Sequence, residues 1–131
     1  MKTKIFLIVA GALSIGALFA GGLSVAEQRH SDRLIRLAEL DIDPAQLVAY
    51  KTALREEIET SIRVEPGVLR LYAVSVKDHP NQIRLFEMYA SPAAYQAHLQ
   101  SAHFRKYKSA TANMVKSLRL IETEPLLLGS K

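Results

Sequence analysis

The 131-residue chain has no cysteine and no tryptophan. Without cysteine there is no disulfide framework, no thiolate nucleophile and no thiol chemistry. Glycine is also scarce, with six residues, and no Gly-rich phosphate loop, dinucleotide fingerprint or nucleophile elbow occurs. A strong excess of one charge is missing too. The formal net charge is +4, and Lys2 and Lys4 leave with the targeting segment described below, which brings the remainder to +2. Nucleic-acid binding calls for a larger basic excess interleaved with aromatic residues. The cluster Arg105, Lys106 and Lys108 therefore reads as a solvated helix face. There is no internal repeat and no low-complexity tract.

What is present begins with an uncharged run from Ile5 to Val25, preceded by Lys2 and Lys4 and followed by Ser24-Val25-Ala26, a small-x-small cleavage pattern ahead of Glu27. Residues 1–26 are expected to be a signal peptide, or an N-terminal membrane anchor if they are not removed, since the run is long enough to span a bilayer. Positive charge ahead of the run, with the acidic Glu27 the first charged residue after it, is expected to place the remainder outside the cytoplasm, periplasmic or otherwise extracytoplasmic, in either case. Residues 27–32 form a short polar tether. Residues 33–131 form one domain of ordinary size.

Within that domain, Arg33 to Ile42 is dense in branched apolar residues and reads as a strand. Asp43-Pro44-Ala45-Gln46 resembles a capping box with proline at the first helical position. Leu47, Tyr50, Leu54, Ile58 and Ile62 then mark one face of a long helix that ends at Glu65-Pro66-Gly67. Val68 to Val76 and Ile83 to Ala90 read as a hairpin, with His79-Pro80-Asn81 as the turn signal. Alternation puts Leu85, Glu87 and Tyr89 on one face of the second strand, and Phe86 and Met88 on the other. Ser117 to Thr123 is a last strand.

Between the hairpin and that strand lies the stretch 91–114, SPAAYQAHLQSAHFRKYKSATANM, with two of the four histidines and two of the five tyrosines. Ser91-Pro92 is a helix start, and Ser101 offers a second. The buried side of this helical segment carries imidazole and phenol groups beside hydrocarbon, a composition suited to a pocket wall. The order is β-α-β-β-α-β, an α+β ferredoxin-like protomer. Its two helices cover one sheet face. A second copy is the simplest cover for the other, so a homodimer is expected.

Glu65-Pro66-Gly67-Val68-Leu69, Phe86-Glu87-Met88-Tyr89, Ala93-Ala94-Tyr95-Gln96-Ala97-His98-Leu99 and Ser101-Ala102-His103-Phe104 together resemble the antibiotic biosynthesis monooxygenase family, which includes quinol monooxygenases. The resemblance covers about residues 34–126. It implies a dimeric α/β barrel of ferredoxin-like protomers with a pocket between sheet and helices. It also implies oxygenation of a quinol or related aromatic by O2 with no cofactor. A haem-degrading branch of the same superfamily uses an asparagine on the first strand, a tryptophan on the second helix and an axial histidine. This chain has no tryptophan, has only Asn81 and Asn113, and carries Lys108 near the axial position, which disfavours haem chemistry.

Oxygenation of this kind needs a base near the substrate hydroxyl and a dry pocket. His98 is the leading candidate for the base because imidazole accepts a proton near neutral pH. His103 and Glu87 are further catalytic candidates, with Glu87 placed to orient an imidazolium. Tyr72, Tyr89, Tyr95, Phe86 and Phe104 are candidate substrate-binding residues for a planar aromatic. Each also has a structural reading: His98 and His103 as hydrogen-bonding or capping residues, Glu87 as a partner of Arg36, Arg70 or Arg84, and the aromatics as core. No metal is expected, because residues five apart are rotated about 140° around an unbroken helix. Only a break at Ser101 would bring the two histidines together. The alternative of a different class is a non-catalytic small-ligand-binding or stress-associated barrel.

Overall fold

A computed structural model describes residues 32–129; the segment 1–26 expected to act in targeting, and most of the expected tether, lie outside them. Strand β1 (Leu34–Ile42) is followed by a 3-10 turn (Pro44–Gln46), helix α1 (Leu47–Val64), and strands β2 (Val68–Val76) and β3 (His79–Tyr89). Helices α2 (Pro92–Gln100) and α3 (Ala102–Thr111) and strand β4 (Val115–Thr123) complete the chain. The four strands form one antiparallel sheet in the order β2-β3-β1-β4. This is the expected α+β ferredoxin-like arrangement, with the second helix split in two. No helix among the described residues is long and apolar enough to cross a membrane.

Ala38, Leu40 and Ile42 alternate toward the helices and build the core with Tyr50, Leu54, Ile83 and Tyr107. At its centre the buried hydroxyls of Tyr50 and Tyr107 meet at 2.8 Å. Burial raises the pKa of both phenols far enough to hold them neutral.

Three local expectations are corrected. Asp43 caps the 3-10 turn, its Oδ1 accepting from Ala45 N–H at 3.0 Å, while the Gln46 amide donates to the Asp43 carboxylate and to Asn113 O. The Asp43 backbone N–H that a capping box would occupy donates instead to Met114 O at 2.8 Å. The hairpin turn falls at Lys77-Asp78, with Asp78 at φ 65°, and β3 starts at His79. Pro80 is tolerated in that strand because pairing to β1 begins only at Gln82, so its missing N–H breaks no bond to β1. On α1, Ile62 is solvent-exposed, and the buried stripe runs Tyr50, Leu54, Glu57, Ser61. Its steps of four, three and four follow the helical period equally well, but carry a carboxylate and a hydroxyl inward.

The chain leaves α1 through Glu65-Pro66-Gly67. Val68 N–H donates to Glu65 O at 3.1 Å, and Ala90 N–H donates to Gly67 O at 2.9 Å. These two bonds set the end of α1 against the start of α2. A Cβ at Gly67 would lie 2.6 Å from Ala94 Cβ, so glycine is required there for close approach.

Candidate active site

Ser91 Oγ accepts from Ala94 N–H at 3.1 Å and starts α2; Ser101 Oγ accepts from Phe104 N–H at 3.3 Å and starts α3. Ser101 itself is extended, at φ −65° and ψ 148°. The helical segment therefore breaks there, and the break turns α3 so that the His98 and His103 ring centroids stand 6.3 Å apart.

Both rings close on one carboxylate. His98 Nδ1 is 3.0 Å from Glu65 Oε1, and His103 Nε2 contacts the same oxygen. His98 Nε2 faces Glu57 Oε1 at 3.5 Å, and Glu57 accepts from Ser61 Oγ at 2.8 Å. His98 is 3% exposed and Glu57 5%. Burial pushes the Glu57 carboxyl upward against the opposing bond from Ser61 and the nearby histidines. At Glu65 burial also pushes upward, but the two histidine hydrogen bonds together outweigh it and hold the group below the usual carboxylate range.

Beside this cluster, between the sheet and helices α2 and α3, lies a cavity of about 550 Å³. Its floor is Ala38, Leu40, Leu85, Leu118 and Leu120; Tyr89, Tyr95, Phe104 and Tyr107 form aromatic walls. Glu87 is its buried carboxylate. Glu87 Oε2 accepts from the Tyr89 hydroxyl at 3.1 Å. Burial raises the Glu87 pKa, against the Tyr89 bond and the charges of His98 and Arg36. The Arg36 guanidinium lies 4.5 Å over the Tyr95 ring and reaches Glu122 at 3.1 Å. A second hollow of about 600 Å³ between α1 and β2 is lined by Lys51, Arg55, Glu59, Tyr72 and Ser75 with aliphatic residues between them. It contains none of the candidate catalytic side chains.

Of the candidate residues, Glu87, Tyr89, Tyr95 and Phe104 share the cavity. His98 and His103 do not line it. His98 lies behind its wall, with ring centroids 5.3 Å from Tyr89 and 4.6 Å from Phe104. Tyr89 stands between Glu87, which its hydroxyl bonds, and the His98 ring. Tyr72 and Phe86 do not line this cavity: their rings stack with centroids 6.4 Å apart, Phe86 alternating with Leu85 and Glu87 along β3, and Tyr72 borders the hollow between α1 and β2 instead. Nor does Glu87 take the ion pairs anticipated for it, since Arg36 bonds Glu122, Arg70 bonds Tyr72, and Arg84 faces Glu39.

Glu57, Ser61 and Glu65 were missed as site residues. The signal for them was their spacing of four along α1, in phase with Leu54; polar side chains at those positions hid it.

Fold and cavity define a ferredoxin-like protein with an aromatic pocket and an internal carboxylate. The sequence profile of the family described as "Antibiotic biosynthesis monooxygenase" matches residues 33–110, and the chain belongs to that family. It is 47% identical to a Bacteroides thetaiotaomicron protein provisionally named an antibiotic biosynthesis monooxygenase, over 78% of this chain and 97% of that one, with a TM-score of 0.75. A Lactobacillus acidophilus protein provisionally named a monooxygenase is 28% identical over 72% of this chain and 45% of its own length, with a TM-score of 0.70. A provisionally named antibiotic biosynthesis monooxygenase of Nitrosomonas europaea, 24% identical over 73% of this chain and 92% of that one, shares the fold with a TM-score of 0.69. Among curated proteins nothing matches the chain. Family and relatives support a monooxygenase-like function.

Proposed function

We propose that the protein is a cofactor-independent monooxygenase that oxidises a quinol or related phenol with O2 in the cavity between the sheet and helices α2 and α3. The observation that carries this reading is Glu87, a buried carboxylate with a raised pKa in an aromatic pocket large enough for a planar guest. A carboxylate in that setting is a stronger base than one in water. Removing the phenolic proton gives an anion that passes an electron to O2 far more readily than the neutral phenol does. For a hydroquinone the balance closes without another reductant: one oxygen atom enters the ring, the other leaves as water, and the product is a hydroxyquinone. Tyr89 positions Glu87 through its hydroxyl, while Tyr95, Phe104 and Tyr107 hold the ring plane.

The working protein on this reading is an exported homodimer. The sheet face away from the helices presents Leu37, Tyr72 and Val74, with Tyr72 55% and Val74 60% exposed. A second copy covers that surface. Export rests on the Ile5–Val25 run.

The test is oxygen uptake by the purified protein with a panel of substituted hydroquinones. Turnover giving the hydroxyquinone, and its loss in Glu87→Gln, supports the assignment. Binding of the same compounds without oxygen consumption would establish a ligand-binding protein instead.

A further inference from the structure

The cluster of Glu57, His98, His103 and Glu65 lies outside the cavity and takes no part in the chemistry proposed there. One ligand atom from each of Glu57, His98 and His103 lies within 4.8 Å of the other two, on three different helices. Residues five apart on one unbroken helix are rotated by about 140°, whereas the break at Ser101 puts His98 and His103 on separate helices with their rings 6.3 Å apart.

The geometry has the features of a small cation site. Glu65 Oε1 takes the Nδ1 side of His98, so a neutral ring keeps its lone pair on Nε2, the atom turned toward Glu57. A carboxylate behind a histidine is the usual support for a metal-binding imidazole. The His98 Nε2 to Glu57 Oε1 distance of 3.5 Å is long for an N–H···O bond. It is close to the edge of a tetrahedron with metal–ligand bonds of about 2.0–2.1 Å, an edge of about 3.3–3.4 Å. The same Glu65 oxygen contacts His103 on Nε2, so a neutral His103 ring keeps its lone pair on Nδ1. A hollow of about 60 Å³ opens on Glu57 and His103 between α1 and α3, large enough for a metal-bound water. Lys106 stands at its rim, its ammonium engaged by Glu56.

We propose that Glu57, His98 and His103 bind one divalent transition ion of the zinc class, with Glu65 orienting both imidazoles and a water from the hollow in the fourth position. The donor set, two imidazoles and a carboxylate, suits zinc or cobalt(II) over magnesium or calcium. The ion would join α1, α2 and α3 behind the cavity wall formed by Tyr89 and Phe104.

The test uses the full chain without an affinity tag, stripped with chelator and titrated with Co²⁺. The expected result is one Co²⁺ per chain, with the strong visible absorption of a site of fewer than six ligands, bleached on adding Zn²⁺. Zn²⁺ should also raise the melting temperature of the stripped protein. Bound Co²⁺ should shift the ring-proton resonances of His98 and His103 and leave those of His79, on the hairpin, in place. Glu57→Gln and His103→Gln should each weaken binding at least tenfold. Absence of stoichiometric binding by the wild-type chain overturns the proposal, as does Co²⁺ binding that leaves the His98 and His103 resonances unmoved.

Discussion

His98 Nδ1 stands 3.0 Å from Glu65 Oε1, across the junction where α1 ends and α2 packs against it. The contact is closed to solvent on the His98 side and shared with His103, so Glu65 satisfies two ring nitrogens from two helices at once. Removing the Glu65 carboxylate leaves the buried His98 Nδ1 without its hydrogen-bond partner, which costs about 1–3 kcal/mol. Glu65→Ala is therefore expected to lower stability by about that amount in urea unfolding. His103→Ala in the Glu65→Ala background should cost less than it does in the wild type, because its partner has already gone. His98→Gln, assayed well below its melting temperature, should keep substrate turnover comparable to wild type. Abolished turnover in a fully folded His98→Gln protein would return the base role to the imidazole.

Glu87 is expected to behave in the opposite way. Its folded pKa is raised above the ordinary carboxylate value, chiefly by burial. A raised acid contributes stability fully below its unfolded pKa, and that contribution is lost as pH rises through the folded value. As pH rises through that value the wild type takes on the penalty of an ionised buried group. Glu87→Gln should be at least as stable as wild type at pH 7, with the difference vanishing in acid. The same substitution removes the base, and kcat should fall about 100-fold or more. In the wild type, turnover should rise with pH through the raised Glu87 pKa. Thermal melts across pH, run beside oxygen uptake, check both halves.

The fold was legible because its signals were local: the branched run of β1, the proline after Asp43, the paired serines at 91 and 101. β2 lies at Val68–Val76 as read from composition. The site was legible only in part. Alternation placed Glu87 and Tyr89 on one face with Leu85, and all three line the cavity. Aromatic identity says nothing about which sheet face a residue occupies, so Tyr72 and Phe86 were grouped with residues on the far side of the sheet. The partners of His98 lie 33 and 41 positions away, at Glu65 and Glu57, on a helix whose apolar residues drew attention to a different stripe. That pairing is set by the Ser101 break and by the Gly67 turn, both of which act through tertiary packing.

Gly67 is one of those determinants, and its requirement is steric. Because a side chain there would meet Ala94 Cβ at 2.6 Å, Gly67→Ala must push α2 off the end of α1. Overpacking of this kind costs about 1–3 kcal/mol. Ala94→Gly in the same chain should recover most of the loss, apart from about 1 kcal/mol for glycine inside a helix. Paired melting curves of the single and double variants measure both terms. A Gly67→Ala protein as stable as wild type would show that the two helices are free to separate.

The open sheet face gives a prediction about assembly. Tyr72 stacks on Phe86 there, with Val74 beside them. A carboxylate introduced at Tyr72 or Val74 would have to be desolvated in a face-to-face dimer, at a cost of several kcal/mol. Tyr72→Glu is expected to sediment as a monomer at micromolar concentration, where the wild type sediments as a dimer. Its circular dichroism should be unchanged, since the side chain is outside the protomer core. A wild-type protein that is monomeric at that concentration would remove the proposed interface.

The phenol pair at the centre of the core offers a test of coupling between the core and the cavity. Tyr50 and Tyr107 hydroxyls lie 2.8 Å apart, and Tyr107 also lines the cavity. Deleting one hydroxyl leaves the other without this partner, while deleting both removes the polar pair from the interior. Single Phe substitutions should each cost about 1 kcal/mol or more, and the double substitution clearly less than their sum. Tyr107→Phe should in addition change substrate affinity, because it alters the cavity wall. Tyr50→Phe leaves the lining side chains as they are and should change stability alone. Urea unfolding combined with steady-state kinetics separates the two, and equal effects on KM from both variants would mean that the Tyr50 hydroxyl holds Tyr107 in its working position.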